Sequence, residues 1–154
     1  MKDLTSDEVW EHVCVGEVLD PFEYVITHEM LDEYRRIVDD PSAVYPTVAG
    51  RHSLRAFTER YGPAKLMNTG TDSEYFNPVV PGRAIRVTAA VVDKYERRGK
   101  PYIVVESVAI DEDARLIEKS RLIGMSAARA KPLFAEVSGK WEQQGEPPSS
   151  PASA

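Results

Sequence analysis

Tyr45-Pro46-Thr47-Val48-Ala49-Gly50-Arg51-His52-Ser53-Leu54-Arg55-Ala56-Phe57-Thr58-Glu59-Arg60-Tyr61 is the stretch on which the fold turns. Pro41 and Pro46 close the loop that leads into it, and Gly62-Pro63 stops it, glycine as the C-cap and proline just beyond. The spacing between these signals predicts a helix from about Val48 to Tyr61. Leu54, Phe57 and Tyr61 share one stripe, and Ala49, Ser53 and Ala56 form a flank of small residues that lets another element approach closely. Every long strand pattern in the chain comes after this helix, so the strands are expected to wrap around it, and a chemical site is expected at its start.

Working outward, Thr71 to Phe76 reads as a strand ended by Asn77-Pro78, and Val80-Pro81-Gly82 is a turn. Arg83 to Tyr95 alternates, with Ile85, Val87, Ala89 and Val91 on one face; Tyr102 to Ile110 and Arg115 to Met125 follow as strands. The turns between them, Arg97 to Pro101 and Asp111 to Ala114, make the three strands an antiparallel meander. On the N-terminal side, Phe22 to Ile26 is a strand. Thr27 is an N-cap for a helix over 28–38, with Met30, Leu31, Tyr34, Ile37 and Val38 on one stripe, ending at Asp39-Asp40-Pro41. Residues 1–12 are polar and irregular, with a short helical turn around Glu8-Val9-Trp10.

This order predicts an α+β, hot-dog architecture, an antiparallel sheet wrapped around a central helix. One domain is expected over 1–141, with its core at about 20–127. Residues 142–154 hold nothing apolar larger than Ala or Pro and read as a disordered tail. The open edges of such a sheet are commonly dealt with by pairing, so a dimer is expected.

Composition narrows the function classes. The chain has 154 residues, 42% of them hydrophobic, which suits one globular domain. Its single cysteine, Cys14, can form neither an internal disulfide nor a Cys-rich metal site, and fits a reducing, cytoplasmic setting. A net charge of −6 argues against nucleic acid as a partner. The one dense basic cluster, Lys94, Arg97, Arg98 and Lys100, reads as a solvated hairpin tip or as a contact for a phosphate-bearing ligand. No run of ~18 apolar residues spans a membrane, and Met1 to Glu8 lacks the apolar segment of a secretory signal.

Three stretches together resemble the MaoC-like dehydratase family, in the manner of the N-terminal half of such dehydratases. They are Ile26-Thr27-His28-Glu29-Met30 with the helix ending in Asp39-Asp40-Pro41; Pro46 to Gly50 entering the central helix; and Gly70 to Gly82 with Tyr95 to Tyr102 after it. The resemblance spans roughly 20–126. It implies an acyl thioester of coenzyme A or acyl carrier protein as ligand, and reversible addition of water across a 2,3-double bond. It also implies a dimer, of two identical chains or with another hot-dog subunit, and needs no cofactor and no metal.

In the family pattern an Asp and a His with four residues between them activate water, and a Gly amide at the helix start holds the thioester oxygen, where a helix N-terminus favours developing negative charge. Asp40 matches the acid and Gly50 the oxyanion position. The His is replaced by Tyr45, a poor base at neutral pH given an ordinary tyrosine pKa of ~10, which could still orient a substrate by hydrogen bonding. His52, two residues after Gly50, is the candidate for a displaced base; the bland reading is a histidine on the helix surface or in a subunit interface. Arg51 could meet a carboxylate or phosphate. The site expected from sequence is therefore Asp40 and His52 for proton chemistry, with Tyr45, Gly50 and Arg51 around the substrate. Two further readings stay open: a non-catalytic subunit whose partner carries the Asp/His pair, and a thioesterase using Glu59, Asp40 or Glu74. His12 and His28 read as structural, and Ser53 lacks the surroundings of a nucleophile elbow.

Overall fold

The computed structural model describes residues 4–44 and 51–126. Its elements are α1 (Ser6–His12), β1 (Phe22–Val25), α2 (His28–Val38), α3 (His52–Tyr61), β2 (Leu66–Tyr75), β3 (Ala84–Arg97), β4 (Lys100–Asp111) and β5 (Leu116–Ser126). The five strands form one antiparallel sheet in the order β1-β3-β4-β5-β2. α3 packs against β3, β4 and β5. This is the hot-dog fold. The expected tail at 142–154, and the predicted helix start at Val48 to Gly50, lie outside the described residues.

Local signals account for most of these elements. The hydroxyl of Thr27 accepts from the Met30 N–H at 3.1 Å, and α2 ends at Asp39, whose φ of 54° puts it in the left-handed region. α3 stops at Gly62, whose N–H donates to the Thr58 carbonyl. The β3–β4 hairpin turns on Arg98 and Gly99, at φ of 52° and 72°; two successive positive values give the turn whose twist matches the flanking strands. α1 is a full helix where only a short turn was expected. Its signal was present in the sequence: Thr5 and Glu8 form a reciprocal capping box, and Val9 drops into the core.

The predicted inward face of β3 holds, with Ile85, Val87, Ala89 and Val91 all buried. Opposite them, α3 contributes Phe57 and Tyr61, whose ring centroids are 4.8 Å apart. Leu54, expected on the same stripe, is only partly buried; the small flank of Ser53 and Ala56 meets the sheet instead. The reason is clearance, since a helix can lie close on a sheet only where its side chains are short. The stripe of α2 is helical as expected but largely uncovered: Leu31 is buried, while Met30, Ile37 and Val38 are exposed, Ile37 by 67%.

Candidate functional site

His52 opens α3 and is only 3% exposed. Its Nδ1 meets Oε2 of Glu118 on β5, and its Nε2 lies 2.6 Å from the hydroxyl of Tyr24 on β1. Three elements thus converge on one imidazole. Glu118 sits opposite Ala109 of β4, on the β5 face shared with Ser120 and Leu122, and is 1% exposed. Apart from His52, neither of its oxygens has a partner among the described residues. Facing an ionised Glu118, Nδ1 must carry a proton, and in the neutral imidazole Nε2 then accepts from the Tyr24 hydroxyl.

Tyr24 is the half-buried outer member of this row. Burial, and next the negative charge of Glu118, push its phenol well above the ordinary tyrosine value, against a smaller opposing pull from Arg55. It therefore keeps its proton and acts as a hydrogen-bond donor. Burial followed by Glu118 raises the Tyr75 phenol too, so the same charge reaches a second ring. The guanidinium of Arg55 lies 4.1 Å from the Phe22 ring centroid and 5.9 Å from that of Tyr24, which sets a cation over the faces of both rings.

The raised phenols carry a pH dependence with a definite sign. Tyr24 and Tyr61 hold their protons in the fold beyond the ordinary value of 10.0, at which the unfolded chain releases them. Above that pH the unfolded state binds fewer protons, so stability is complete below about pH 10 and falls as pH rises past it. Denaturant unfolding between neutral pH and pH 11 checks this: the alkaline loss should shrink in Tyr24→Phe and again in Tyr24→Phe/Tyr61→Phe.

Beside the histidine, Ser53 anchors the helix start to the sheet. Its hydroxyl donates to Ser107 Oγ at 2.8 Å and lies 3.3 Å from the Ser120 carbonyl. A cavity of about 200 Å³ opens between α3, β2 and β5, lined by Arg51, Ser53, Leu54, Thr71 and Ser120. It lies beside the first turn of the central helix.

Among the residues expected from sequence, His52 lies at the centre, neither on the surface nor free. Arg51 is exposed beside the cavity, at the N-cap position of α3. Tyr45 and Gly50 lie outside the described residues. Asp40 is exposed past the end of α2, where its carboxylate accepts from the backbone N–H and hydroxyl of Ser42 at 2.9 and 2.6 Å. Glu59 is exposed and paired with Arg55 at 2.8 Å; Glu74 is exposed on β2. His12 and His28 are both exposed. Sequence reasoning missed Glu118 and Tyr24. Glu118 left one signal, a carboxylate on the inward side of a strand, in register with Ser120 and Leu122. Tyr24 left none, because an aromatic in a strand reads as core.

The fold and this buried His-Glu-Tyr row together define a hot-dog domain with an ionisable group at the head of its central helix. Solved structures with the same fold include a MaoC-like dehydratase from Rhodospirillum rubrum, at 18% identity and a TM-score of 0.57, covering 76% of this chain and 94% of that one. Another is the HadBC 3R-hydroxyacyl-ACP dehydratase complex from Mycobacterium tuberculosis, at 16% identity and a TM-score of 0.58, covering 73% and 96%. A thioesterase superfamily member from Thermus thermophilus matches at 18% identity and a TM-score of 0.61, covering 85% and 97%. No family model matches the sequence, and no curated protein matches it significantly. Among the described residues no helix is long and apolar enough to cross a membrane.

Proposed function

We propose that this chain binds an acyl thioester, of coenzyme A or acyl carrier protein, and adds water reversibly across its 2,3-double bond. The observation that carries the reading is the buried imidazole of His52, held between the Glu118 carboxylate and the Tyr24 hydroxyl at the head of the central helix. Glu118, and not Asp40, is the carboxylate paired with His52, and its role is to stabilise the imidazolium. In hydration, water's oxygen bonds to C3 as its proton passes to Tyr24, whose own proton moves to His52 Nε2. The imidazolium is stabilised by Glu118, and the relay returns a proton to C2 of the enolate. The Gly50 amide is the proposed donor to the thioester oxygen, with Tyr45 and Arg51 positioning the ligand along the cavity. A second hot-dog subunit, identical or not, would cover the exposed side of α2.

A second reading has its own observation. Both nitrogens of His52 are already engaged within the chain, and the ring is almost fully buried. That suits a non-catalytic subunit, in which the row only braces β1, α3 and β5 while a partner does the chemistry.

Hydration of crotonyl-CoA separates the readings. An active site at His52 predicts turnover by the purified protein and a roughly 10²–10⁴-fold fall in kcat/KM for His52→Gln. Binding of the thioester without turnover supports the non-catalytic subunit. Release of free thiol would replace both with a thioesterase. Turnover unchanged in His52→Gln removes this histidine from the mechanism.

A further inference from the structure

The tip of the β3–β4 hairpin carries a second cavity, of about 460 Å³, lined by Thr69, Tyr95, Arg97, Arg98, Lys100 and Tyr102 among others. Tyr95 and Tyr102 face each other across the two strands and stack, with centroids 5.3 Å apart and planes 18° from parallel. Strand alternation places both on the side away from α3, because their neighbour Ile103 points into the core. Arg97 and Lys100 also pair in register, two residues from Tyr95 and Tyr102, and so share that face. Met125, paired with Tyr102, is seven residues along β5 from Glu118, roughly 23 Å at strand spacing. This groove is therefore distinct from the His52 site.

Its electrostatics run against the rest of the molecule. The chain carries a net charge of −6, yet three cations converge here, and none of the three side chains has an ion pair among the described residues. Arg98 also occupies a position with φ of 52°, where Gly or Asn would cost less. A cation kept at a strained turn is a local rule broken where function is expected. The groove's volume falls within the range of small-ligand clefts. Two aromatic faces offer a platform for a planar ring, and guanidinium groups match phosphate oxygens two at a time.

We infer that this groove binds a nucleoside diphosphate group, its phosphates held by Arg97, Arg98 and Lys100 and its base against the Tyr95–Tyr102 pair. The inference does not depend on chemistry at His52. Calorimetric titration of the full chain with ADP at low salt tests it, with inorganic pyrophosphate as the comparison. Saturable ADP binding is expected, roughly tenfold or more weaker in Arg97→Ala/Lys100→Ala, and weaker in Tyr102→Ala while pyrophosphate binding is unchanged. Arg98→Gly gives a control that keeps the fold: it should raise the thermal midpoint by relieving the turn, while weakening ADP. No saturable binding, or wild-type affinity in the Arg97/Lys100 variant, overturns the site. Pyrophosphate binding as tightly as ADP, with Tyr102→Ala silent for both, overturns the nucleoside assignment.

Discussion

Replacing His52 by leucine should destabilise the fold by about 3–5 kcal/mol, and replacing Glu118 by leucine as well should recover most of that loss. The asymmetry follows from burial. Glu118 is 1% exposed, and its oxygens meet nothing else among the described residues but the imidazole. Removing the histidine leaves a buried carboxyl group without its one partner among the described residues. Removing both exchanges a pair for two hydrocarbon side chains of similar reach, a change that is often neutral or stabilising. Denaturant unfolding of wild type, both single variants and the double variant gives the coupling directly. If the double variant loses at least the sum of the singles, the two residues do not interact and the row described above is wrong. Activity discriminates further, since the double variant should be stable yet inactive. A stable, active double variant would sink the hydratase reading without touching the fold.

Phe57→Ala should cost about 3–5 kcal/mol and lower the thermal midpoint by roughly 6–20 °C for a chain of this size. Phe57 is 1% exposed, packs against the Tyr61 ring at a tilt of 35° and belongs to the cluster that joins α3 to the inward faces of β3 and β4. The surrounding strands are hydrogen-bonded on both sides and cannot move in to fill the space, so the cavity term is expected in full. Leu54→Ala, on the same helix but partly exposed beside the small cavity, should cost clearly less. Equal losses at the two positions would mean that Leu54 is covered in solution, as a second subunit over that side would make it.

Most features governed by local rules were legible along the chain. Thr27 with its cap, the left-handed stop at Asp39, the glycine stop at Gly62, the hairpin at Arg98-Gly99 and the alternation of Ile85, Val87, Ala89 and Val91 are each set by neighbours a few residues away. Periodicity and turn chemistry report such neighbours well. The order of these elements then carried the α+β hot-dog architecture, because a meander with one apolar face needs a helix to cover it. The site was half legible. His52 stood out by its place at the helix start, but its partners did not, since Tyr24 and Glu118 lie 28 and 66 residues away and meet it only through the sheet.

Which carboxylate meets the histidine depends on contacts between distant segments. Asp40 was the nearer choice along the chain, yet it is spent on the Ser42 turn at the surface. The fold instead turns Glu118 inward on β5, opposite Ala109 and two residues from the Ser107–Ser120 pair, where His52 of α3 meets it. A buried acid–base pair depends on distance and on the exclusion of water. Both are set where strands and helix meet, not by the spacing of residues along the chain.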